Sequence, residues 1–166
     1  MDLSGRGKLT LVEPRTQAGL RDAVEIILAM EASGPRAQAG AATLQDTREV
    51  GFLRAMTRGL GRVRQCRIGL LMLDDQPVAG AIVLGRGPRG WLYLSAQEET
   101  HAPLMPLPVL LTMMQEAAPM RLILRPDGLA ASGEGRLSLG DLHLSQGAVR
   151  KPRDLAGRAR DVLRGS

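Results

Sequence analysis

Apolar positions recur along this chain in two different periods, and the places where the period changes mark its elements. Leu20, Val24, Ile27, Leu28 and Met30 follow helical spacing, with Thr16 as a cap and Ser33-Gly34-Pro35 as a stop, so a helix is predicted to about Ala32. Residues 34–43 are rich in Gly and Ala without a period, and read as a loop. Asp46 or Thr47 then caps a second helix that places Val50, Leu53, Met56, Thr57 and Leu60 on one face, with Gly59 and Gly61 closing it. Strand signals flank these helices. Leu9–Val12 ends at Pro14, and Arg67–Leu73, Val78–Leu84 and Trp91–Ser95 are short apolar runs. The connections Asp74-Asp75-Gln76-Pro77 and Gly85-Arg86-Gly87-Pro88-Arg89-Gly90 are compact, so those three runs are expected to form an antiparallel meander.

Beyond Gln97 the chain is polar and then proline-rich. Pro108 suits the first position of a helix that continues through Val109, Leu110, Met113, Met114 and Ala117 to Pro119. Met120–Leu124 reads as one more strand. Past Arg125 the pattern weakens: Leu137, Leu139, Leu142 and Leu144 suit a short hairpin, and residues 152–164 a short Arg-rich helix. The order strand, helix, helix, three strands, helix, strand makes this an α/β (α+β) chain, with a mixed, mostly antiparallel sheet flanked by helices.

Composition narrows the picture. The 166 residues, 44% of them hydrophobic, suit a single domain spanning 1–166. One Phe, one Trp and one Tyr are too few for a base-stacking surface, which argues against a nucleic-acid-binding module. In favour of such a module stand the net charge of +5 and the helical stripe Arg54, Arg58 and Arg62. Only Lys8 and Lys151 are lysines; arginine supplies the rest of the positive charge throughout the chain. Cys66 is the only cysteine, so neither an intramolecular disulfide nor a multi-thiolate zinc site is expected, and His101 and His143 are too few for a metal site. The polar N-terminus carries no signal-peptide core, and no apolar run is long enough to span a bilayer, so a cytoplasmic protein is expected.

The element order resembles that of the GNAT superfamily of N-acyltransferases. More specific are Met30-Glu31-Ala32-Ser33-Gly34, Ala39-Gly40-Ala41-Ala42, Asp46 and Phe52, which look like the stretch between the first two helices in one branch. That branch is the bacterial acetyltransferase-like group of cellulose and exopolysaccharide biosynthesis, related to FemAB-type aminoacyl transferases. Leu73-Asp74-Asp75-Gln76-Pro77-Val78-Ala79-Gly80 is similar to the branch's turn between its second and third strands. The resemblance covers residues 9 to 125. It implies acyl transfer from acetyl-CoA or another acyl-CoA to a small-molecule or envelope-related amine. Family members usually carry two such domains, so a second GNAT-like domain or a homo-oligomer is the implied partner.

In GNAT domains the donor's pantetheine arm lies in a gap beside the strand that precedes the third helix. Its pyrophosphate sits on that helix's N-terminus, where free N–H groups attract anions. Carried onto this chain, the resemblance assigns the backbone of Leu94, Ser95 and Ala96 to pantetheine, and the amides of Val109 and Leu110 to the phosphates. Leu104 stands where the branch has an arginine, and Pro106-Leu107-Pro108 where it has Ser-Pro-Gly. Since proline has no N–H, the remaining donors expected there are Val109, Leu110 and Leu111.

Amide formation needs a base, and an acid for the leaving thiolate. Glu98 and Glu99 are the candidate bases, the bland alternative being a solvated acidic turn. Tyr93 is the candidate acid, alternatively a packing residue on the same strand face as Trp91. His101, in the same loop, is by residue type suited to proton transfer, but a loop histidine is more often just exposed. Cys66 reads as a small buried hydrophobe. The GxGxxG spacing at Gly85–Gly90 lies between two strands and so reads as a hairpin, where a dinucleotide fingerprint needs a following helix. A catalytically inactive GNAT-like binding or assembly domain is the alternative function.

Overall fold

A computed structural model of the chain describes residues 3–85 and 88–123. In chain order the elements are β1 (Leu9–Val12), α1 (Gln17–Ala32), α2 (Pro35–Gln38), α3 (Thr47–Arg62), β2 (Cys66–Leu73), β3 (Gln76–Leu84), β4 (Arg89–Gln97), α4 (Pro106–Ala117) and β5 (Arg121–Ile123). The five strands form one sheet in the order β1-β2-β3-β4-β5. All neighbours run antiparallel except β4 and β5, which run parallel. The tight β2–β3 turn is made by Asp74 and Asp75, both at positive φ (47° and 66°), as a two-residue hairpin of right-handed twist requires.

The sheet separates two apolar clusters. On one face α1 and α3 contribute Leu20, Val24, Ile27, Leu28, Leu53 and Met56, packed on Ile68, Leu70, Ile82, Leu84, Leu94 and Ala96. On the other, Leu107, Leu110, Leu111 and Met114 of α4 pack on Leu71, Ala79, Ala81, Val83 and Leu92. Two strand glycines let the helices approach: a β-carbon on Gly80 would collide with Ile27 of α1, and one on Gly69 with the Met114 thioether of α4. Arg67 pins the far end of α4. It pairs with Glu13, and donates to the carbonyl of Met114 (2.5 Å), which also accepts the Ala118 N–H (3.1 Å), and to that of Ala118 (3.0 Å), just past the helix end.

Three expectations about element boundaries change. Gly59 and Gly61 lie inside α3, which runs to Arg62. Gly61 admits α1, because a β-carbon there would stand 2.7 Å from Leu20 Cδ1. The stretch 34–43, expected to be a loop, contains α2, started by Pro35 at its first position. Finally, α4 begins at Pro106 rather than Pro108. Thr16 and Asp46 cap their helices as expected: Thr16 Oγ1 accepts from Gly19 N–H (3.1 Å), and Asp46 Oδ1 from Arg48 N–H (2.8 Å) and Glu49 N–H (3.4 Å). The hairpin expected at Leu137–Leu144, the helix expected over 152–164 and His143 lie outside the described residues.

Candidate functional site

Among the described residues β5 pairs with only the first part of β4. Their pairing covers Arg89↔Arg121, Gly90↔Leu122 and Trp91↔Ile123. From Leu92 to Gln97 β4 pairs with β3 alone, and its other edge faces no strand among the described residues. Leu94, Ser95 and Ala96 lie opposite Ile82, Ala81 and Gly80. Antiparallel residues turn their N–H and C=O groups to alternate sides, so this stretch presents part of its backbone to the open edge. An extended amide-bearing ligand can therefore add to β4 as a strand would.

A bulge marks the inner end of this edge. Across the step from Ile82 to Val83 in β3, β4 advances from Leu94 to Leu92 and skips Tyr93. The extra residue puts half-buried Tyr93 against the α1/α3 cluster, the side that Leu94 also faces. Trp91 lies opposite Leu84, whose side chain belongs to that same cluster, so Trp91 and Tyr93 share a face as expected.

Glu98 and Glu99 follow β4 at the outer end of the edge, and both are exposed. Glu98 Oε2 accepts the Thr100 hydroxyl at 2.7 Å, and Thr100 Oγ1 lies 3.2 Å from His101 Nδ1, so these three form a short polar chain. Glu99 begins a 3₁₀ turn over Glu99–Leu104 and leans across to the turn after α1. Its Oε1 stands 3.5 Å from where a β-carbon on Gly34 would be, with the Glu31 carbonyl 3.6 Å from the same point. Five strand steps at about 3.3 Å separate Tyr93 from Glu98, roughly 16 Å. The structure therefore brings Glu98, Thr100 and His101 together and leaves Tyr93 apart from them.

Glu31, part of the family-like segment Met30–Gly34, had no role assigned from the sequence. It is 4% exposed and joins three segments: its Oε2 accepts the buried Thr43 N–H at 3.0 Å, and its Oε1 faces the Arg36 guanidinium at 2.7 Å. The arginine N–H vectors miss Oε1, so that contact is an ion pair by distance and not an aligned hydrogen bond. The signal was present, because Glu31 continues the apolar stripe of Val24, Ile27 and Leu28 at helical spacing.

The start of α4 does not fit the phosphate end of an acyl-CoA. A helix leaves its first four N–H groups without internal partners. Here Met105 N–H already bonds the Ala102 carbonyl (3.0 Å), while Pro106 and Pro108 have none. Leu107 alone is left, and it is 6% exposed. Leu110 and Leu111 lie inside α4, where the helical ladder takes up their N–H groups, while half-buried Val109 is its fourth residue. Leu104 packs against the α4-side apolar cluster.

Other candidates resolve into structural roles. Burial pushes the Cys66 thiol up to about 12, although the residue as a whole is only half-buried, so it stays protonated and is no nucleophile at neutral pH. A groove of about 560 Å³ runs between α1 and α3, lined by Leu20, Arg21, Val24, Arg54, Arg58 and Arg62, away from the β4 edge. In it Arg54 forms a two-bond pair with Glu25 (2.7 and 2.8 Å). No cluster of metal-ligating side chains exists among the described residues, and no helix among them is long and apolar enough to cross a membrane.

A mostly antiparallel sheet between two helical layers, with a parallel last strand, is the architecture of a GNAT-like domain. The acetyltransferase (GNAT) domain family matches residues 3–127, and the chain belongs to that family. Its structure is similar to that of a possible acetyltransferase from Clostridium difficile 630, with TM-score 0.51 and 14% identity over 74% of this chain and 84% of that one, which shows the fold. A ribosomal-protein-alanine N-acetyltransferase from Brucella melitensis biovar Abortus 2308 aligns at TM-score 0.43 and 15% identity, over 80% of this chain and 84% of that one. No curated protein matches the chain.

Proposed function

We propose that this domain transfers an acyl group from a thioester donor to an amine, with the donor's arm laid along the open edge of β4. The observation that carries the proposal is the edge of β4: it is paired with β5 up to Trp91↔Ile123 and beyond that faces no strand among the described residues, with a bulge at Tyr93 where the edge begins. A donor entering from the exposed end points its reactive end at the closed end. Membership of the acetyltransferase family supports the reaction class.

In this reading the backbone of Leu94, Ser95 and Ala96 holds the arm, and the Tyr93 phenol protonates the departing thiolate as the amine nitrogen replaces sulfur on the carbonyl carbon. Tyr93 is the chain's one tyrosine. Glu98 and Glu99, at the mouth and roughly 16 Å from Tyr93 along the strand, take the amine's proton through a chain of several waters. The segments shared with the exopolysaccharide-associated branch suggest an envelope-related amine as acceptor.

Release of free thiol from an acetyl thioester, followed across a panel of amines, tests the proposal. The expected result is amine-dependent release that Tyr93→Phe lowers by about 100-fold. Release no faster than in buffer, with every amine, overturns it.

A further inference from the structure

We infer that donor recognition in this domain ends at the pantetheine arm, and that the nucleotide diphosphate of an acyl-CoA contributes nothing to binding. The inference rests on the acyl-transfer reading above, and narrows it to thioesters that need carry no adenosine diphosphate.

Two independent observations support it. The first is the shortage of donors at the start of α4, where four N–H groups reduce to one buried one. An anion at a helix start is held by those groups, and the dipole alone, without donors pointed at the ligand, is a weak attraction. The helix has no side-chain cap to take their place. The second is charge. The chain has 22 lysines and arginines, yet from Gly90 to Met120 there is none. That span contains the open edge, the 3₁₀ turn and all of α4. Its acidic side chains are Glu98, Glu99 and Glu116, two of them at the mouth of the gap. Arg89 and Arg121 lie at the opposite, paired end of β4. Arg36, the cation near the mouth, faces the buried Glu31 carboxylate at 2.7 Å.

A diphosphate placed there would lose its water and gain from the described residues no bidentate arginine, and at most Leu107's N–H among the four at the start of α4. What the mouth offers instead is apolar: Met105 is 39% exposed, and Leu104 and Pro108 are half-buried. Those surfaces suit a carbon-rich arm.

Calorimetric binding of acetyl-CoA and of S-acetylpantetheine to the whole chain tests this, with thiol release from each measured in parallel. The two are expected to bind within about threefold of one another, and to do so equally in low and high salt, because no phosphate contact exists for salt to screen. One charge-assisted hydrogen bond to a phosphate is worth about tenfold. Acetyl-CoA binding more than about tenfold tighter, with the advantage lost in high salt, overturns this inference and leaves the acyl-transfer reading standing. If neither thioester binds at about 1 mM and neither releases thiol above buffer, the acyl-transfer reading falls and this inference with it.

Discussion

The two ends of α4 are held by opposite means. At its C-terminus Arg67 reaches from β2 to the carbonyls of Met114 and Ala118 while pairing with Glu13, so cation and helix dipole match. At its N-terminus no side chain bonds the backbone, Met105 sits in the left-handed region at φ 53°, and two prolines remove the donors that a cap would satisfy. The start of α3 shows the ordinary solution, with the Asp46 carboxylate accepting from two N–H groups. A helix start can thus be satisfied by adding an acceptor or by deleting donors. The second solution also deletes donors from an anion site, which links the fold of α4 to the donor preference proposed above.

The largest effect is expected at the charged end. Replacing Arg67 with leucine leaves the Glu13 carboxylate, about one-sixth exposed, without its cation and takes one donor each from the Met114 and Ala118 carbonyls. Chemical denaturation should show a loss of about 3 kcal/mol. A loss below about 1 kcal/mol, typical of an exposed pair, would remove the contrast between the two ends.

The helix starts should respond with opposite signs. Asp46→Ala is expected to cost about 1 kcal/mol, because the Arg48 and Glu49 N–H groups lose their acceptor. Met105→Gly is expected to stabilise by about 0.5 kcal/mol, since a glycine relieves the positive φ and the exposed methionine gives up little packing. Thermal melts of the two variants check this, and a stabilised Asp46→Ala or a destabilised Met105→Gly would break the comparison.

These contrasts were unevenly legible in the sequence. Periodicity and cap residues gave α1, α3 and the meander, because local signals such as Thr16, Asp46 and the Asp74-Asp75 turn act within a few residues. Gly59 and Gly61 misled, because their small size serves the approach of α1, a tertiary contact that no local pattern displays. Pro106 and Pro108 both suit an early helical position, so local rules left the start of α4 two residues ambiguous, and the donor count at the candidate site depended on that choice. The bulge at Tyr93 and the pairing of Glu31 with Arg36 and Thr43 are register and packing facts, and become visible only with β3 and α2 in place.

The smallest effect tests whether pairing on the exposed side of the molecule follows the same charge logic as Arg67. The hydrogen bonds from Arg54 hold the Glu25 carboxyl below the usual carboxylate range, their effect outweighing the desolvation that would raise it. A carboxyl whose folded pKa is depressed adds stability above its unfolded value, and that stability is lost as the pH falls through the folded one. The stability difference between the native chain and Arg54→Gln should therefore be present near neutral pH and shrink as acid protonates Glu25. Because the pair is nearly half exposed, added salt should shrink it too. Urea denaturation of both proteins at neutral and acidic pH measures the difference. A difference that persists unchanged into acid would mean that Arg54 acts through its aliphatic stem over Val24 and Thr57, in the groove they share, and not through its charge.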